Sequence, residues 1–473
     1  SLGEYQKAIE YYEKGLQIST EIGDRSGIAS NNGNLGNAYH DLGEYQMAIE
    51  YYEKGLQIST EIGDRSGIAS NNGNLGNAYR DVGGYKKAVE YYEKGLQICT
   101  EIGDRSGIAT NNSNLGNAYS CLGQFDLGRS FLMKSICFFD EIFLDFVPEE
   151  NKVQFTQQYF KAHLVLMRCF ISMERTEAAL LVSDLGRAKE LHFCMEKQNN
   201  TLILHMFDYA RAIWDRIDAG EEEIQFKELS EIVTEGKTKT SVLVFTFDVV
   251  GYLHVWVYQD RVTFRKLEVT LKDISLLTIS LFKPVNVSFD WNSSFYNPRF
   301  AINFCNEIGI LSKLSNRKPP EVGKNAVENA VGSCSNVMDR EILKNLFQIL
   351  VGTVKDLCKG NKIVIVPDKL LFFTPFSALV DENGRYLSDS YRIQITPSLH
   401  TLKCSMERFR DSKLGFALFV GNAEVGKDLP NATKEAECLS KLFEAKALLK
   451  REARKDVVLQ LLGGASLIHI AAH

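Results

Sequence analysis

The feature that most constrains this chain is a period of 40 residues in its N-terminal part. Residues 44–79 repeat residues 4–39 with one change, Lys7 to Met47, and a third copy at 84–119 has drifted slightly. A further copy decays after the third one. Self-similarity at a fixed period of this size predicts a solenoid of stacked supersecondary units, each burying its apolar face on its neighbours.

Each unit is predicted to hold two helices. In the first, Ile28, Leu35 and Tyr39 form an apolar face, and a turn follows at 42–45. The second helix carries apolar residues at helical spacing: Ala48, Ile49, Tyr52, Leu56 and Ile58. Gly63 is expected to end that helix, because glycine adopts the left-handed conformation common at helix C-termini.

The motif Leu35-Gly36-x-x-Tyr39, followed by Ala48, Tyr52 and Gly55, resembles the tetratricopeptide repeat (TPR). The long period resembles the TPRs of Pins-type proteins and kinesin light chains. Two positions depart from the family pattern: Gly55 stands where Ala is usual, and Thr60 where Pro is usual. The small residues Gly36 and Ala48 are expected to let paired helices approach closely.

A ladder of asparagines recurs on the first helix of each unit: Asn34, Asn37, Asn74, Asn77, Asn114 and Asn117. Residues three apart share a helix face. The resemblance implies that this face lines the concave groove of the solenoid, and amides can donate to and accept from an extended peptide backbone. The alternative is a solvated polar face. Repetition in register favours peptide binding, so these six residues are the predicted peptide-binding site.

Three regions are expected: TPR repeats at 1–145, a degenerate helical connector at 146–236, and a third domain at 237–473. Residues 178–191 read as an amphipathic helix of the connector. Its charges are expected to form a solvated face: Asp184, Arg187, Lys189 and Glu190. The polar, acidic stretch 219–239 is a candidate linker.

Beyond residue 237 the composition changes. Seven of the nine prolines fall between Pro298 and Pro430, and apolar, β-branched runs occur. Extended segments are predicted at 362–368, 371–379, 392–397, 416–422 and 466–472, and a helix at 434–443. Strands alternating with helices predict a largely parallel α/β sheet.

Four segments in order resemble the CHAT domain, a caspase-like module found after TPRs: Val364-Ile365-Val366-Pro367 through Ala378-Leu379, Tyr391-x-Ile393-x-x-x-Pro397-Ser398, Val420-Gly421-Asn422 leading to Leu429-Pro430, and Ile468-His469-Ile470-Ala471-Ala472-His473. The predicted fold is an α-solenoid of TPR helix pairs followed by a truncated α/β caspase-like (CHAT) domain. Large animal proteins share this arrangement.

The CHAT resemblance implies a Cys–His dyad of a cysteine peptidase, in which His473 is the general base. The matching cysteine should follow a further strand, so the chain is expected to be a fragment lacking both true termini. Gly is expected after His473, and the cysteine about 50 residues further on. Cys438 lies near Ala436 and Leu439 on a helix face, and is expected to be a small core residue.

Two other patterns resemble cofactor sites but lack what such sites need. Residues 421–427 spell GxxxxGK, but Asp428 follows where a phosphate loop needs Ser or Thr, and Pro430 delays the helix. His469 and His473 are four residues apart on a strand, about 13 Å, which is too far for one zinc ion. No cofactor and no metal is predicted, and His469 is expected to be a core histidine.

Bulk properties limit the partners. A net charge of −6 and the lack of a basic stripe argue against nucleic-acid binding. The ten cysteines form no CxxC pair, which fits reduced thiols in a cytoplasmic protein. The apolar stretch 241–259 is better explained by two strands and a tight turn than by a membrane span.

Two functions follow. The first is a protein–protein interaction scaffold whose TPR groove binds partner peptides, with a CHAT domain that is inactive in this chain. The second is a caspase- or separase-like cysteine endopeptidase in the full-length protein, whose TPRs select the substrate.

Overall fold

The computed structural model describes residues 2–144, 152–195, 200–221, 240–248, 250–259, 261–274, 277, 336–403, 416–421, 430–442, 445, 447–462 and 465–471. Several sequence predictions fall outside these ranges, among them His473, the GxxxxGK stretch after Gly421 and most of the candidate linker.

The N-terminal half is a run of helices: α1 (Leu2–Glu21), α2 (Arg25–Asp41), α3 (Tyr45–Glu61), α4 (Arg65–Asp81), α5 (Tyr85–Ile102), α6 (Arg105–Cys121), α7 (Phe125–Leu144), α8 (Lys152–Ser172), α9 (Thr176–Met195) and α10 (Asn200–Ala219). Each of these helices packs on the next one in the chain, and α2, α4, α6 and α8 also contact one another in sequence. The predicted solenoid of helix pairs is confirmed.

The helix boundaries repeat with the sequence. Asp64 is the N-cap of α4, and its Oδ1 accepts from the Gly67 backbone N–H at 3.0 Å. Gly63, just before it, has φ of 70°, so the turn between α3 and α4 uses the left-handed conformation that glycine adopts without strain. The equivalent Asp24 and Asp104 cap α2 and α6 in the same way.

Close helix approach within a pair depends on glycine. An ideal Cβ placed on Gly76 would lie 2.4 Å from the Tyr92 ring, and one on Gly36 would lie 2.5 Å from Tyr52. Tyr92 is fully buried, and Ala88 beside it is also inaccessible. The expectation that small residues set this approach agrees with the packing, because a methyl group at Gly76 has no space.

Contacts between the two helices of a pair also recur at the repeat period. Tyr39 stacks on Tyr51 with ring centroids 5.3 Å apart, Tyr79 stacks on Tyr91 at the same distance, and Tyr119 on Phe131 at 5.4 Å. Ion pairs join the start of the first helix of each pair to the last part of the second: Arg25–Glu61, Arg65–Glu101 and Arg105–Glu141. Stability is therefore spread along the solenoid in similar nearest-neighbour contacts.

A five-stranded sheet follows, built from β1 (Thr240–Phe247), β2 (Tyr252–Tyr258), β3 (Val262–Thr270), β4 (Lys362–Val366) and β5 (Arg392–Ile395) in the order β3-β2-β1-β4-β5. The pairs β1/β2 and β2/β3 are antiparallel, whereas β4 is parallel to both β1 and β5. The stretch 241–259 is thus the predicted strand pair with its tight turn. Among the described residues no helix is long and apolar enough to cross a membrane.

A second sheet holds β6 (Phe416–Gly421), β7 (Ala447–Leu449) and β8 (Ala465–Ala471) in the order β7-β6-β8, with both pairings parallel. The described helices of this half include α11 (Asn336–Leu350), α12 (Leu387–Ser390), α13 (Pro430–Leu442) and α14 (Lys455–Leu462). Most of the predicted strands and the helix at 434–443 are confirmed.

One predicted strand is wrong. Residues 371–379 are not extended, because the segment forms two short 3₁₀ helices, Lys369–Phe373 and Phe376–Ala378. Pro375 separates them and has no N–H to offer a sheet. The strand β3 was not predicted, since it contains no continuous apolar run, and most of its residues stay partly exposed at the edge of the sheet.

The connector helices pack on one face of the five-stranded sheet. Leu180 and Leu181 of α9 belong to the same buried cluster as Val244, Trp256 and Val366 of the sheet. The opposite face of that sheet is covered by α11, through Leu346 and Phe347. The helical half and the sheet therefore share one continuous core.

Candidate functional site

The six ladder asparagines lie on α2, α4 and α6, the helices that contact one another along one side of the solenoid. All six are partly or fully exposed. Across the three helices they form two rows. The row of Asn37, Asn77 and Asn117, which we call the inner asparagine row, makes the more regular contacts.

The inner asparagine row is oriented by tyrosine hydroxyls. The Tyr52 hydroxyl donates to Oδ1 of Asn37 at 2.8 Å, and the Tyr92 hydroxyl donates to Oδ1 of Asn77 at the same distance. Burial raises the pKa of both tyrosines, so the hydroxyls stay protonated and act as donors. Each amide oxygen is therefore held against the helix that follows.

In the third unit the asparagine amide oxygen is also held, but by a different donor. Leu132 occupies the position equivalent to Tyr52 and Tyr92 and offers no hydroxyl. Instead Arg168, from α8, donates from Nη2 to Oδ1 of Asn117 at 3.1 Å. The amide oxygens of the inner row are thus all engaged within the chain, although one donor comes from a helix outside the repeats.

The amide nitrogens of the row remain available. In the part of the chain that the structure describes, Nδ2 of Asn37, Asn77 and Asn117 makes no hydrogen bond. The outer residue Asn74 differs, since its Nδ2 donates to Oδ1 of Asn37 at 3.3 Å and links α4 to α2. Among the described residues, the inner asparagine row therefore has unpaired N–H donors, whereas its amide oxygens are engaged.

The end of α4 adds charge to this face. Asp81 accepts from His40 Nε2 at 3.0 Å and from Arg80 Nε at 2.8 Å. Desolvation alone would raise the pKa of Asp81, but the hydrogen bonds from His40 and Arg80 lower it to about 2. Arg80 also donates from Nη1 to Oδ1 of Asn77 at 3.3 Å, so the charged cluster is joined to the inner row.

A second set of asparagines, missed in the sequence, is structural. Asn71 is buried, and its Nδ2 donates to the Gly67 carbonyl at 2.8 Å. An ideal Cβ on Gly55 would lie 2.9 Å from Oδ1 of Asn71. This contact explains why Gly55 replaces the usual Ala. The signal was present in the sequence, because glycine and asparagine recur together at Gly15/Asn31 and Gly95/Asn111.

In the C-terminal half, β6 and β8 run parallel and side by side, with Gly421 opposite Ala471. Their carboxyl ends, like those of other parallel strands, meet at one edge of the sheet, where open α/β folds place their ligands. His473 follows β8 but lies outside the described residues. His469 is on β8 opposite Phe419, and its side chain is likewise outside the description.

Cys438 does not have the expected environment. It is exposed on α13, whereas Ala436, two residues earlier, is buried. Two residues turn a helix by about 200°, so neighbours at this spacing face nearly opposite directions. The prediction that Cys438 is a core residue is therefore wrong. In addition, Cys438 lies eight residues along α13 from Pro430, about 12 Å from the edge where that helix begins.

The comparisons with known proteins agree with both halves of the fold. Residues 1–61 and 67–136 match the tetratricopeptide repeat, and residues 340–473 match the CHAT domain. The chain joins tetratricopeptide repeats to a C-terminal CHAT domain. No curated protein matches it significantly.

Several solved structures are similar to about half of this chain. The apo form of RapI is 17% identical, covers 49% of this chain and 82% of its own, with a TM-score of 0.35. BtubC from P. vanneervenii is 18% identical, covers 46% of this chain and 85% of its own, with a TM-score of 0.32. NprR in complex with its cognate peptide NprX is 15% identical, covers 50% of this chain and 67% of its own, with a TM-score of 0.31.

The connector helix α9 is fixed to the five-stranded sheet, and to the segment that follows β5, by a buried polar cluster. Asp184 accepts from the backbone N–H groups of Leu399 and His400 at 2.7 and 3.1 Å. Arg187 donates to the Phe245 carbonyl, and its side chain is only 9% exposed. The prediction of a solvated face is therefore wrong for Asp184 and Arg187. The side chains of Lys189 and Glu190 lie outside the description.

A buried carboxylate also shapes the β1–β2 turn. Oδ1 of Asp248 accepts from the backbone N–H groups of Val250, Gly251 and Tyr252, and Oδ2 lies 3.1 Å from Nε2 of His254. Desolvation opposes ionisation, but the His254 contact and the Tyr252 amide lower the pKa of Asp248 overall. The side chains of Asp248 and His254 therefore both stabilise this turn. Across the described ranges no group of His, Cys, Asp or Glu could hold a metal ion.

Proposed function

We propose that the chain is a protein–protein interaction scaffold whose TPR groove binds partner peptides. The observation that carries this proposal is the inner asparagine row, which repeats in register on α2, α4 and α6 with its Nδ2 atoms unpaired among the described residues. An extended peptide has carbonyl oxygens at regular intervals. A row of oriented donors on neighbouring helices suits such a backbone, because donors held in place lose little entropy on binding.

The test is a triple variant, Asn37→Ala, Asn77→Ala and Asn117→Ala. Peptide affinity is expected to fall at least about tenfold, while circular dichroism and the melting temperature change little, since exposed substitutions usually move stability by under about 0.5 kcal/mol each. A peptide selected by display against the wild-type chain serves as the probe. Unchanged affinity would remove the row from the binding site, and a loss of helical content would make the row structural.

Asn71→Ala and Asn111→Ala together form the matched control. These amides are buried and back-bonded to their own helix, so their loss is expected to lower the melting temperature without selectively weakening the peptide. Comparing peptide affinity and melting temperature between the two variants distinguishes asparagines that bind peptide from asparagines that stabilise the fold, although both kinds recur at the same repeat period.

The CHAT domain is proposed to be inactive as a peptidase in this chain. A Cys–His dyad needs the two side chains within hydrogen-bond reach. The described cysteine nearest in sequence to His473 is Cys438, on the flank of α13 well below the edge that β6 and β8 share. Turnover of peptide substrates by this chain, abolished by His473→Ala, would contradict the proposal.

The alternative function is a caspase- or separase-like endopeptidase in a longer protein. It is favoured by the parallel arrangement of β6 and β8 and by the place of β8 at the outer edge of its sheet among the described strands. A further parallel strand beside β8 would bring a cysteine next to His473. Labelling by a thiol-directed active-site probe, in a chain carrying that strand, tests this alternative.

Neither nucleic-acid binding nor a membrane span belongs to the proposal, and a cytoplasmic location is proposed from the cysteines. All six cysteines whose side chains the structure describes are free thiols. Such thiols persist in reducing compartments.

A further inference from the structure

The first two positions of the inner asparagine row are built within the repeats. The Tyr52 hydroxyl donates to Oδ1 of Asn37, and the Tyr92 hydroxyl donates to Oδ1 of Asn77, both at 2.8 Å. In each case the donor lies on the second helix of the same unit, which packs directly on the first. The orientation of these two amides therefore depends only on the unit to which each belongs.

The third position lacks a strong donor from its own unit. Leu132 occupies the place of the tyrosine and has no hydroxyl. The Sγ atom of Cys121 lies 4.0 Å from Oδ1 of Asn117, but a thiol is a weak donor. Among the described residues of the repeats, nothing else donates to this oxygen. The amide of Asn117 therefore needs a partner from another part of the chain.

The connector helix α8 supplies that partner. Arg168 donates from Nη2 to Oδ1 of Asn117 at 3.1 Å, and within the described ranges its guanidinium makes no other hydrogen bond and no ion pair. A hydrogen bond from a charged donor is stronger than a neutral one. The neighbouring residues Met167 and Cys169 are fully buried, and α8 packs on α6 at this level. The position of the guanidinium is thus fixed by the packing of α8.

An asparagine whose oxygen is not held cannot keep its N–H groups in one direction. The last torsion of the side chain has a broad, roughly two-fold preference, so the amide turns over easily. In the reversed orientation the oxygen, rather than the N–H donors, would face a peptide carbonyl. A donor that is already oriented also loses less entropy on binding. The amide of Asn117 is therefore a good donor only while Arg168 holds it.

We propose that Arg168 is a positioning residue of the peptide site, through which the connector extends the site from two units to three. The inference rests on the proposed peptide groove and adds the regulation of its length. Asn37 and Asn77 are ready to donate in any chain that contains the repeats, whereas Asn117 is ready only when α8 is packed on α6. The connector is accordingly a component of the binding site and not a spacer.

The experiment uses the whole chain and the display-selected peptide, with affinity measured by fluorescence anisotropy. Arg168→Met keeps most of the length and the apolar stem of the side chain but removes the donor. Affinity is expected to fall about two- to tenfold, the range of one hydrogen bond, with little change in melting temperature. Lys134→Gln is the control for charge, because it removes one exposed cation that lies over Phe131 on α7. That control is expected to stay within about twofold.

A double-mutant cycle shows whether Arg168 acts through Asn117. In a chain that already carries Asn117→Ala, the further change Arg168→Met is expected to alter affinity by less than about twofold, because the amide that it positions is gone. A guanidinium that contacts the peptide directly, attracts it by charge or only stabilises the fold would weaken binding equally in both backgrounds. Equal effects in the two backgrounds overturn the proposal.

A neutral donor should replace the arginine. Leu132→Tyr, added to Arg168→Met, puts a hydroxyl where the first two units have theirs, and affinity is expected to return to within about twofold of wild type. Space for the ring is retained, because an ideal Cβ on Gly116 would lie 2.4 Å from Leu132 Cγ, as one on Gly76 does from the Tyr92 ring. Tyrosine is uncharged, so recovery cannot come from charge. A double variant that melts like wild type but binds no better than Arg168→Met contradicts the proposal.

The outcomes distinguish the positioning role from the groove itself. If the triple asparagine variant weakens the peptide but Arg168→Met does not, Arg168 has no positioning role and the groove stands. If neither variant weakens it, or display selects no peptide, the groove is wrong and the role of Arg168 falls with it.

Discussion

The carboxylate of Asp184 accepts a hydrogen bond from the backbone N–H of Leu399 at 2.7 Å, across 215 positions of the chain. Asp184 lies in the helical connector, and Leu399 begins a helical turn just after β5. Burial raises the pKa of Asp184, although Arg187 and the two amides partly offset this effect. This contact attaches the connector helix to the sheet at a defined point.

Loss of this contact is expected to be costly. Asp184→Ala leaves the backbone N–H groups of Leu399 and His400 without their acceptor and removes the carboxylate 4.0 Å from the Arg187 guanidinium, so stability should fall by about 3 kcal/mol. Scanning calorimetry measures the change. Asp218→Ala is the matched control, because that carboxylate pairs with Arg129 at the surface with 57% of its side chain exposed, and should cost under about 1 kcal/mol. Equal effects of the two variants would contradict the role given to Asp184.

Gly76 and Gly73 lie on the same helix and should respond oppositely to alanine. Gly76→Ala is expected to destabilise by about 1–3 kcal/mol, since its methyl group would overlap the Tyr92 ring. At Gly73 the nearest atom to an ideal Cβ is 3.9 Å away, so Gly73→Ala should be neutral or stabilising by up to about 1 kcal/mol. The third repeat supports the expectation for Gly73, because Ser113 occupies the position equivalent to Gly73 and carries a Cβ. The melting temperatures of the two variants, compared with wild type, test this expectation.

Acid should weaken the solenoid partly through Asp81. Its pKa is lowered from 3.8 to about 2, so the stability it contributes is present above 3.8 and is lost as the pH falls through about 2. Asp81→Asn is therefore expected to show a smaller drop in melting temperature than wild type between those two values. Asp41→Asn, at the equivalent position of the preceding unit, is the control. If the melting temperatures of wild type and Asp81→Asn fell in parallel with decreasing pH, Asp81 would make no such contribution.

Local patterns predicted most of the helical half and much of the sheet. The repeat period, the glycine before each Asp cap and the apolar spacing are all properties of neighbouring residues, and so are the runs that became β4, β5, β6 and β8. Residues 371–379 were misread because an apolar composition does not distinguish a strand from 3₁₀ turns around Pro375.

The parts that sequence reasoning missed depend on distant partners. Asp184 and Arg187 look like surface charges on an amphipathic helix, and only the sheet that covers them makes them buried. The ladder asparagines were placed on one face, but the orientation of their amides depends on Tyr52, Tyr92 and, most remotely, Arg168. No local pattern links Arg168 to Asn117, because α8 lies outside the repeats.

The contacts that join consecutive units are copies of one another: an ideal Cβ on Gly15 would lie 2.8 Å from Oδ1 of Asn31, and one on Gly55 would lie 2.9 Å from Oδ1 of Asn71. Each junction in this part of the solenoid is therefore interchangeable with the next. Excision or duplication of a single whole unit would rejoin matching surfaces and leave every junction with its normal partner. Unit number can thus vary by recombination between near-identical segments without a folding penalty, and the groove would gain or lose reach in steps of one helix pair.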